Sequence, residues 1–321
     1  MQTYVIRRVL LIIPTLLLVT IIVFLTVRLI PGSVVDSMLA EQAQHMEGAT
    51  YEAAREGLEH KLGLDLPIHV QYWEWISGVF QGDLGRSLWT NEPVTQQIFQ
   101  RLPVSLELGI FGIIIGLLIA MPVGIYSAIR QDTKGDYIAR SFAIACIALP
   151  AFWVATMVMV FPSIWWRWSP AMQYIPFIDD PLGNLKQFII PAFILGMGLS
   201  GTTMRMIRTM MLEVLRQDYI RSAWSKGLRE RTVVIRHALK NALIPVVTLV
   251  GMHIAYVIGS AVILEQIFAL PGMGSLLIHV IQVRDYTVLS GLNLFMASFV
   301  LVLNLLVDLT YSYLDPRIRY R

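Results

Sequence analysis

The chain has 321 residues, of which 56% are hydrophobic and only 15% are charged. Soluble globular proteins carry about one-quarter charged residues, and a water-soluble fold could not hide so much apolar surface. The formal net charge of +3 therefore matters through its distribution along the chain, and the single cysteine, Cys146, excludes an internal disulfide.

Met1–Arg8 followed by the apolar stretch Val9–Val27 has the positive front and hydrophobic middle of a signal peptide, but the run is too long and no small-residue cleavage site follows. It reads as a first transmembrane helix that stays in the mature protein, ending the first segment, 1–30. Residues 31–104 make an external segment. Within it Val34–Lys61, rich in Ala, Glu, Met and Leu, predicts helix, while Gly63-Leu64-Asp65-Leu66-Pro67 and Gly82-Asp83-Leu84-Gly85 predict turns. This cap is too short for an independent receptor. The aromatics of Tyr72-Trp73-Glu74-Trp75, with Trp165, Trp166 and Trp168, suit an interfacial belt or substrate stacking.

Residues 105–321 hold the remaining spans. Counting the first, charge-poor runs occur at Val9–Ile30, Leu108–Ile129, Ser141–Trp166, Phe188–Met204, Ala242–Leu264 and Val288–Val307, each near the ~20 residues that cross hydrocarbon. Backbone polar groups have no water partner at that depth, and the runs lack barrel-like alternation, so the fold class is all-α with six transmembrane helices. Cys146 lies inside one apolar run and reads as a small packed side chain. Pro14, Pro122, Pro150, Pro162, Pro191 and Pro245 fall in or at the ends of spans, where each removes a backbone donor and tends to kink the helix.

Charge fixes the orientation. Of the 25 Lys and Arg residues, 17 fall on one side under alternating crossings: Arg7, Arg8, Arg130, Lys134, Arg140, nine in Arg205–Lys240, and Arg317, Arg319 and Arg321. That side is the cytoplasm, so both termini are expected inside. Residues 31–103 hold ten acidic against four basic residues, as expected outside. Arg28 and Asp308 lie near span ends, where snorkelling to the interface accounts for them. His253 lies deeper and reads as a hydrogen bond to a neighbouring helix or a proton relay.

Glu265–Tyr286 joins the last two spans. It contains Ser275–Val283, an apolar piece too short to cross, which predicts an interfacial or re-entrant helix. Glu265 at the membrane edge reads either as part of an external gate or substrate contact, with Pro271, Gly272 and Gly274, or as half of an ion pair.

The loop Arg205–Lys240 carries nine basic and three acidic residues. In it Asp218 is a candidate N-cap, Tyr219–Lys226 a two-turn helix, Gly227 its stop, and Arg229–Lys240 a second helix returning to the membrane at Pro245. A short helix held away from the bilayer has nothing of its own to bury against and invites a partner. Contact with anionic lipid explains its charges but not the Ala223…Gly227 spacing.

These residues resemble the membrane-spanning permease subunits of ATP-binding-cassette importers of the dipeptide and oligopeptide branch. The family's small-residue helix, Gly and return to a Pro read here as Ile220-Arg221-Ser222-Ala223-Trp224-Ser225-Lys226-Gly227-Leu228 and Arg236-His237-Ala238-Leu239-Lys240-Asn241-Ala242-Leu243-Ile244-Pro245. Further motifs follow in order: Leu29-Ile30-Pro31-Gly32, Lys61-Leu62-Gly63-Leu64-Asp65, Gly82-Asp83-Leu84-Gly85-Arg86-Ser87, Arg101-Leu102-Pro103, Leu270-Pro271-Gly272-Met273-Gly274, Arg284-Asp285-Tyr286 and Leu314-Asp315-Pro316-Arg317-Ile318-Arg319-Tyr320. Trp224 stands where the branch more often has Arg. The resemblance implies a coupling helix, Tyr219, Ile220, Arg221, Ser222, Ala223, Trp224, Ser225 and Lys226 with Gly227, seated on a nucleotide-binding subunit, where small Ala223 and Gly227 permit close approach and a sharp exit. It implies two such ATPase subunits holding ATP and Mg, a second permease in a heterodimer, an extracytoplasmic solute-binding protein, and a bacterial or archaeal cytoplasmic membrane. Peptides are the expected substrate, with nickel complexes, glutathione and oligosaccharides as alternatives within the branch.

No Gly-x-x-x-x-Gly-Lys-Ser/Thr loop occurs, so the chain itself is not expected to bind ATP or another cofactor, nor to act as an enzyme. Two rivals remain. Gly198-Leu199-Ser200-Gly201 with His253 is similar to the Ser and His of rhomboid-type proteases, although small residues also serve helix packing. An ion-driven secondary transporter would need an intramembrane carboxylate, for which Asp308 is the candidate. His45, His60, His69, His237, His253 and His279 form no metal-ligand pattern, and the dispersed basic residues do not suggest nucleic-acid binding.

Overall fold

The computed structural model describes residues 2–29, 34–43, 48–170 and 174–314. Pro31-Gly32, His45, the side chain of Asp308, and the closing motif from Asp315 with its three arginines lie outside the described residues. The elements are α1 (Gln2–Arg28), α2 (Val34–Ala43), α3 (Gly48–Lys61), α4 (Ile68–Phe80), α5 (Val94–Ile129), α6 (Lys134–Ala148), α7 (Ala151–Trp166), α8 (Pro181–Leu215), α9 (Asp218–Ser225), α10 (Glu230–Thr232), a π-helical segment (Val233–Leu239), α11 (Lys240–Ile267), α12 (Met273–Gln282) and α13 (Tyr286–Leu314). The fold is all-α. Among the described residues five helices are long and apolar enough to cross a membrane, and six spans result when the bent pair α6 and α7 is counted as one.

That sixth span differs from expectation. Ser141–Trp166 reads as one continuous helix, yet α6 and α7 meet at 89°. Leu149 is extended (φ −80°, ψ 118°) and Pro150 caps α7 (φ −65°, ψ 130°). Pro150 has no N–H to give α6, and its ring drives the preceding residue out of the helical region. Pro14, Pro162, Pro191 and Pro245 remain inside helices. The predicted helical stretch Val34–Lys61 is helical over α2 and α3, with residues 44–47 outside the described residues.

Contacts divide the chain into two units, one of Val104–Gly274 with residues 302–314 and one of Gln2–Pro103 with Ser275–Leu301. In the first, α8 packs against α6, α7 and α11. Glycines let the α5 and α8 backbones touch: a Cβ on Gly196 would lie 2.7 Å from the Gly112 carbonyl oxygen, and one on Gly116 3.0 Å from that of Gly196. This is how helices pack where lipid offers as much apolar contact as protein. One core gathers Leu108, Ala155, Phe188, Leu195, Ala261 and Leu264, and a second gathers Ile207, Met211, Ile220, Val233 and Val246. The start of α8 is fixed by Asp180, whose Oδ1 accepts from the N–H groups of Leu182 (3.1 Å) and Gly183 (3.0 Å) ahead of Pro181 at the first turn.

Asp136 ties three helices of this unit together. It is fully buried at 0% exposure. Arg208 of α8 donates to it twice, Nε to Oδ1 at 2.9 Å and Nη2 to Oδ2 at 2.8 Å. Ser127 of α5 donates to Oδ1 at 2.5 Å and the Asp132 N–H to Oδ2 at 3.0 Å. Arg208 counts in the sequence only as one of the positive charges that set orientation; here it is a bidentate partner of a buried carboxylate.

In the second unit, Val34, Val35 and Leu39 of α2 are buried with Leu58 of α3 packed against them. Phe24 of α1 meets the Tyr72 ring of α4 edge-on at 5.4 Å, and the Tyr72 hydroxyl lies 2.8 Å from Thr20 Oγ1. Because the Thr20 hydroxyl donates to the Leu17 carbonyl (2.7 Å), Tyr72 is the donor of that pair. Two motifs far apart in sequence also meet: the Ser87 hydroxyl donates to Asp285 Oδ2 at 2.6 Å, the Leu88 N–H adds a bond of 3.1 Å, and the Trp89 indole donates to the Val283 carbonyl at 2.9 Å. Outside the spans, His60 Nδ1 lies 2.7 Å from Asp65 Oδ2, which raises the imidazole pKa and lowers that of the carboxyl.

Removing one member of the Asp136–Arg208 pair strands the other, a loss of about 3–5 kcal/mol for buried pairs. Asp136→Ala is expected to lower the thermal unfolding midpoint of the detergent-solubilised protein sharply. The double variant Asp136→Ala with Arg208→Met should lose less than Asp136→Ala alone. Equal midpoints for Asp136→Ala and wild type would contradict the role of the pair.

Candidate functional site

The basic stretch Arg205–Lys240 is almost wholly helical. α8 runs on to Leu215, so Arg205 and Arg208 belong to it, and α9, α10 and the π-helical segment fill most of the rest. Hydropathy marks where hydrocarbon ends, whereas α8 continues because its last turns still bury Ile207 and Met211.

α9 spans Asp218–Ser225, one residue ahead of the expected Tyr219–Lys226. Asp218 is not the N-cap. Gln217 holds that position in extended conformation without a side-chain cap, and Asp218 opens the first turn, where its charge suits the helix dipole. The other end matches the expected stop. Gly227 has φ +78°, its N–H donates to the Trp224 carbonyl (2.9 Å), and the Leu228 N–H donates to that of Ala223 (3.4 Å). That pair of bonds is a Schellman motif, and its left-handed residue is least strained as glycine.

Ile220 and Ala223 face inward, joining the core that holds Val233, Val234 and Ala238. This corrects the reading of Ala223 as the point of close approach to a partner: at 7% exposure its methyl packs within the chain, where its size lets α9 sit close to the π-helical segment. The Tyr219 hydroxyl accepts from Asn241 Nδ2 at 2.8 Å, a second tether to α11. The outward face is Tyr219, Arg221, Ser222, Trp224, Ser225 and Lys226, and Leu228 and Ile235 of the following segment are also exposed. A row of aromatic and aliphatic groups set among cations is unusual on a free surface and common at a protein interface.

At the far end of α11, Glu265, Gly272 and Gly274 come together, with Pro271 in the turn between them. Glu265 is 1% exposed. The Ser105 hydroxyl donates to its Oε1 at 2.6 Å, and Ser105 Oγ in turn accepts from the Met273 N–H at 2.8 Å. A Cβ on Gly272 would run into the Glu265 carboxyl, and one on Gly274 would lie 2.5 Å from the Val262 Cα. Gly274 is therefore required by close approach to backbone, while Gly272 leaves room for the buried Glu265 carboxyl. No sequence signal marks Ser105, whose partners lie 160 and 168 positions away.

Ser200 and His253 do not form a nucleophile and base. The Ser200 hydroxyl donates to the Met197 carbonyl (2.7 Å), while His253 Nε2 lies 3.3 Å from Thr202 Oγ1. His253 thus makes the interhelical hydrogen bond expected of it.

Two family models match the chain. The N-terminal membrane component of binding-protein-dependent transport systems matches residues 1–109, and the binding-protein-dependent transport system inner membrane component matches residues 120–320. A peptide transport system permease protein of Brucella abortus (strain 2308) is 39% identical over 320 residues, covering 100% of both chains. The dipeptide transport system permease protein DppB of Escherichia coli (strain K12) is 36% identical over 344 residues, again covering 100% of both. Among solved structures, the MetNI methionine ABC transporter in an inward-facing conformation aligns with a TM-score of 0.56 at 13% identity, over 68% of this chain and 97% of that one. The chain belongs to the inner membrane components of binding-protein-dependent transport systems, and is a membrane-spanning permease subunit of ABC importer architecture.

Proposed function

We propose that the chain is one of two permease subunits that together form the pathway of an ATP-driven peptide importer in a bacterial or archaeal cytoplasmic membrane. The observation that carries the reading is α9: a short helix locked to its own chain by Ile220, Ala223 and Tyr219 while Trp224, Arg221 and Lys226 remain outward. Such a helix has a rigid back and an exposed front. In the proposed orientation it lies on the cytoplasmic side with both termini, and a nucleotide-binding subunit covers it. ATP and Mg belong to that subunit and its twin. A solute-binding protein delivers substrate to the opposite side, where Glu265, Pro271, Gly272 and Gly274 form the external gate. The peptide assignment is supported by the names of the Brucella and Escherichia coli relatives, which align along their full length.

Gly227→Asp puts a Cβ where φ is +78°, at a cost of about 1–2 kcal/mol, and sets an anion at the rim of the docking face. The variant is expected to insert normally and to lose uptake; normal transport at wild-type abundance would sink the coupling role. Trp224→Ala removes the largest outward group. It should weaken co-purification of the ATPase subunits by about 2 kcal/mol, as for a central aromatic anchor, with the unfolding midpoint unchanged. At the gate, Gly272→Ala forces its methyl into Glu265, an overpacking loss of about 1–3 kcal/mol. Its unfolding midpoint and its uptake should both fall, and adding Glu265→Ala should restore the midpoint. A Gly272→Ala protein as stable as wild type would show that Glu265 does not sit beneath that turn.

A further inference from the structure

A cavity of about 510 Å³ lies where α6 breaks into α7, with α8 and α11 as its other walls. Leu149 and Pro150 line it from the break, Gly198 and Thr202 from α8, and Met252 and His253 from α11. Its volume is that of small-ligand sites. His253 is the fourteenth residue of the 28-residue α11, so it sits near the midplane of a helix about 42 Å long at 1.5 Å per residue.

Three observations set this cavity apart from a packing defect. Helix breaks at membrane depth leave backbone groups outside the regular ladder, and these persist only where they meet protein or line a water-filled space; Leu149 and Pro150 face this one. Second, Gly198 differs from its neighbours on α8. A Cβ on Gly196 or Gly201 would collide at 2.7 Å with the carbonyl oxygen of Gly112 or Ala143, whereas one on Gly198 meets nothing within 4 Å. Among the described residues Gly198 therefore serves no helix contact, and it leaves the cavity open. Third, the polar pair is directional. The Thr202 hydroxyl donates to the Leu199 carbonyl at 3.1 Å, so across the 3.3 Å contact it accepts from His253 Nε2. In the neutral imidazole Nδ1 is then an acceptor, on a side chain that lines the cavity.

We propose that this cavity is a transit site for the transported peptide, in which one peptide side chain occupies the space over Gly198 and a peptide N–H or α-ammonium donates to His253 Nδ1. This rests on the peptide-importer reading. The site then limits side-chain size during passage, after the binding protein has made its own selection.

The test is uptake of radiolabelled dialanine and diphenylalanine by the complete transporter, with its partner subunits, bearing a size series at position 198. Gly198→Ala should behave as wild type. Gly198→Trp fills the cavity and should cut diphenylalanine uptake by roughly tenfold or more, the scale on which pockets reject misfitting groups, while dialanine suffers less and ATP hydrolysis persists. Should Gly198→Trp fail to accumulate, Met252→Cys in a Cys146→Ala background decides the matter. A thiosulfonate reagent should label it, and excess diphenylalanine should slow the labelling. Undiminished diphenylalanine uptake by Gly198→Trp, beside an active wild type, would overturn the site alone. So would Met252→Cys that stays unlabelled with or without peptide, because a helix of the partner permease would then fill the cavity. A wild-type transporter that takes up neither dipeptide would overturn the peptide reading, and this site with it.

Discussion

A backbone N–H or C=O that lacks a partner in hydrocarbon costs several kcal/mol, and that constraint governs this chain more than any single contact. It requires helices for the crossings, and it restricts where a helix can stop. The break at Leu149–Pro150 is the informative case. The chain turns through 89° there instead of closing the ladder, and the turn is placed against α8 and α11, where Thr202 and His253 add polar groups of their own. The same proline facing lipid would leave its freed carbonyls with no donor. Bend and cavity therefore go together, and the polar pair lies beside them with its own bond.

Asp136 meets the same requirement with charge. A carboxylate at 0% exposure is tolerable because four donors, one from α5, one from the loop before α6 and two from α8, saturate its oxygens. Those bonds hold the base of α8 against α5 and α6, and a few turns on, α9 is held to the same core through Ile220 and Ala223. A force applied at the outward face of α9 therefore acts on a body already clamped together. It moves α8, α9 and the π-helical segment as a unit, since their shared side chains cannot slide past one another without opening the core.

Features that depend on neighbours in sequence were legible. Gly227 announces its left-handed position because the helix before it must end. Pro150 signals only a kink, as five other prolines do, and not the 89° break it makes. Features that depend on what lies across the bundle were not. Arg208 looks like any other positive charge until Asp136, 72 positions away, is placed opposite it. Ser105 carries no signature at all. Ala223 misleads for a related reason: a small side chain on a surface helix signals close approach, but not to which partner, and here the partner is the chain itself. Even Asp218, a good cap by type, yields that place to Gln217, because the extended residue, not the residue of best propensity, decides where a helix begins.

The two ends of the return path from α9 through α11 finish in the same motif with different residues. After α9, Gly227 takes the left-handed position at φ +78°, where glycine meets no penalty. After α11, the N–H groups of Ala269 and Leu270 donate to the carbonyls of Gln266 and Glu265 at 3.3 and 2.8 Å, a second Schellman motif, but its left-handed residue is Ala269 at φ +51°. An alanine there stores about 1–2 kcal/mol. What holds it is the knot below, where Ser105 links Glu265 to the Met273 N–H. The α9 end is thus relaxed and exposed, while the α11 end is strained and pinned by two hydrogen bonds through a single hydroxyl. In the proposed coupling role of α9, the strained end of α11 is the one away from α9, beside the turn at Pro271-Gly272.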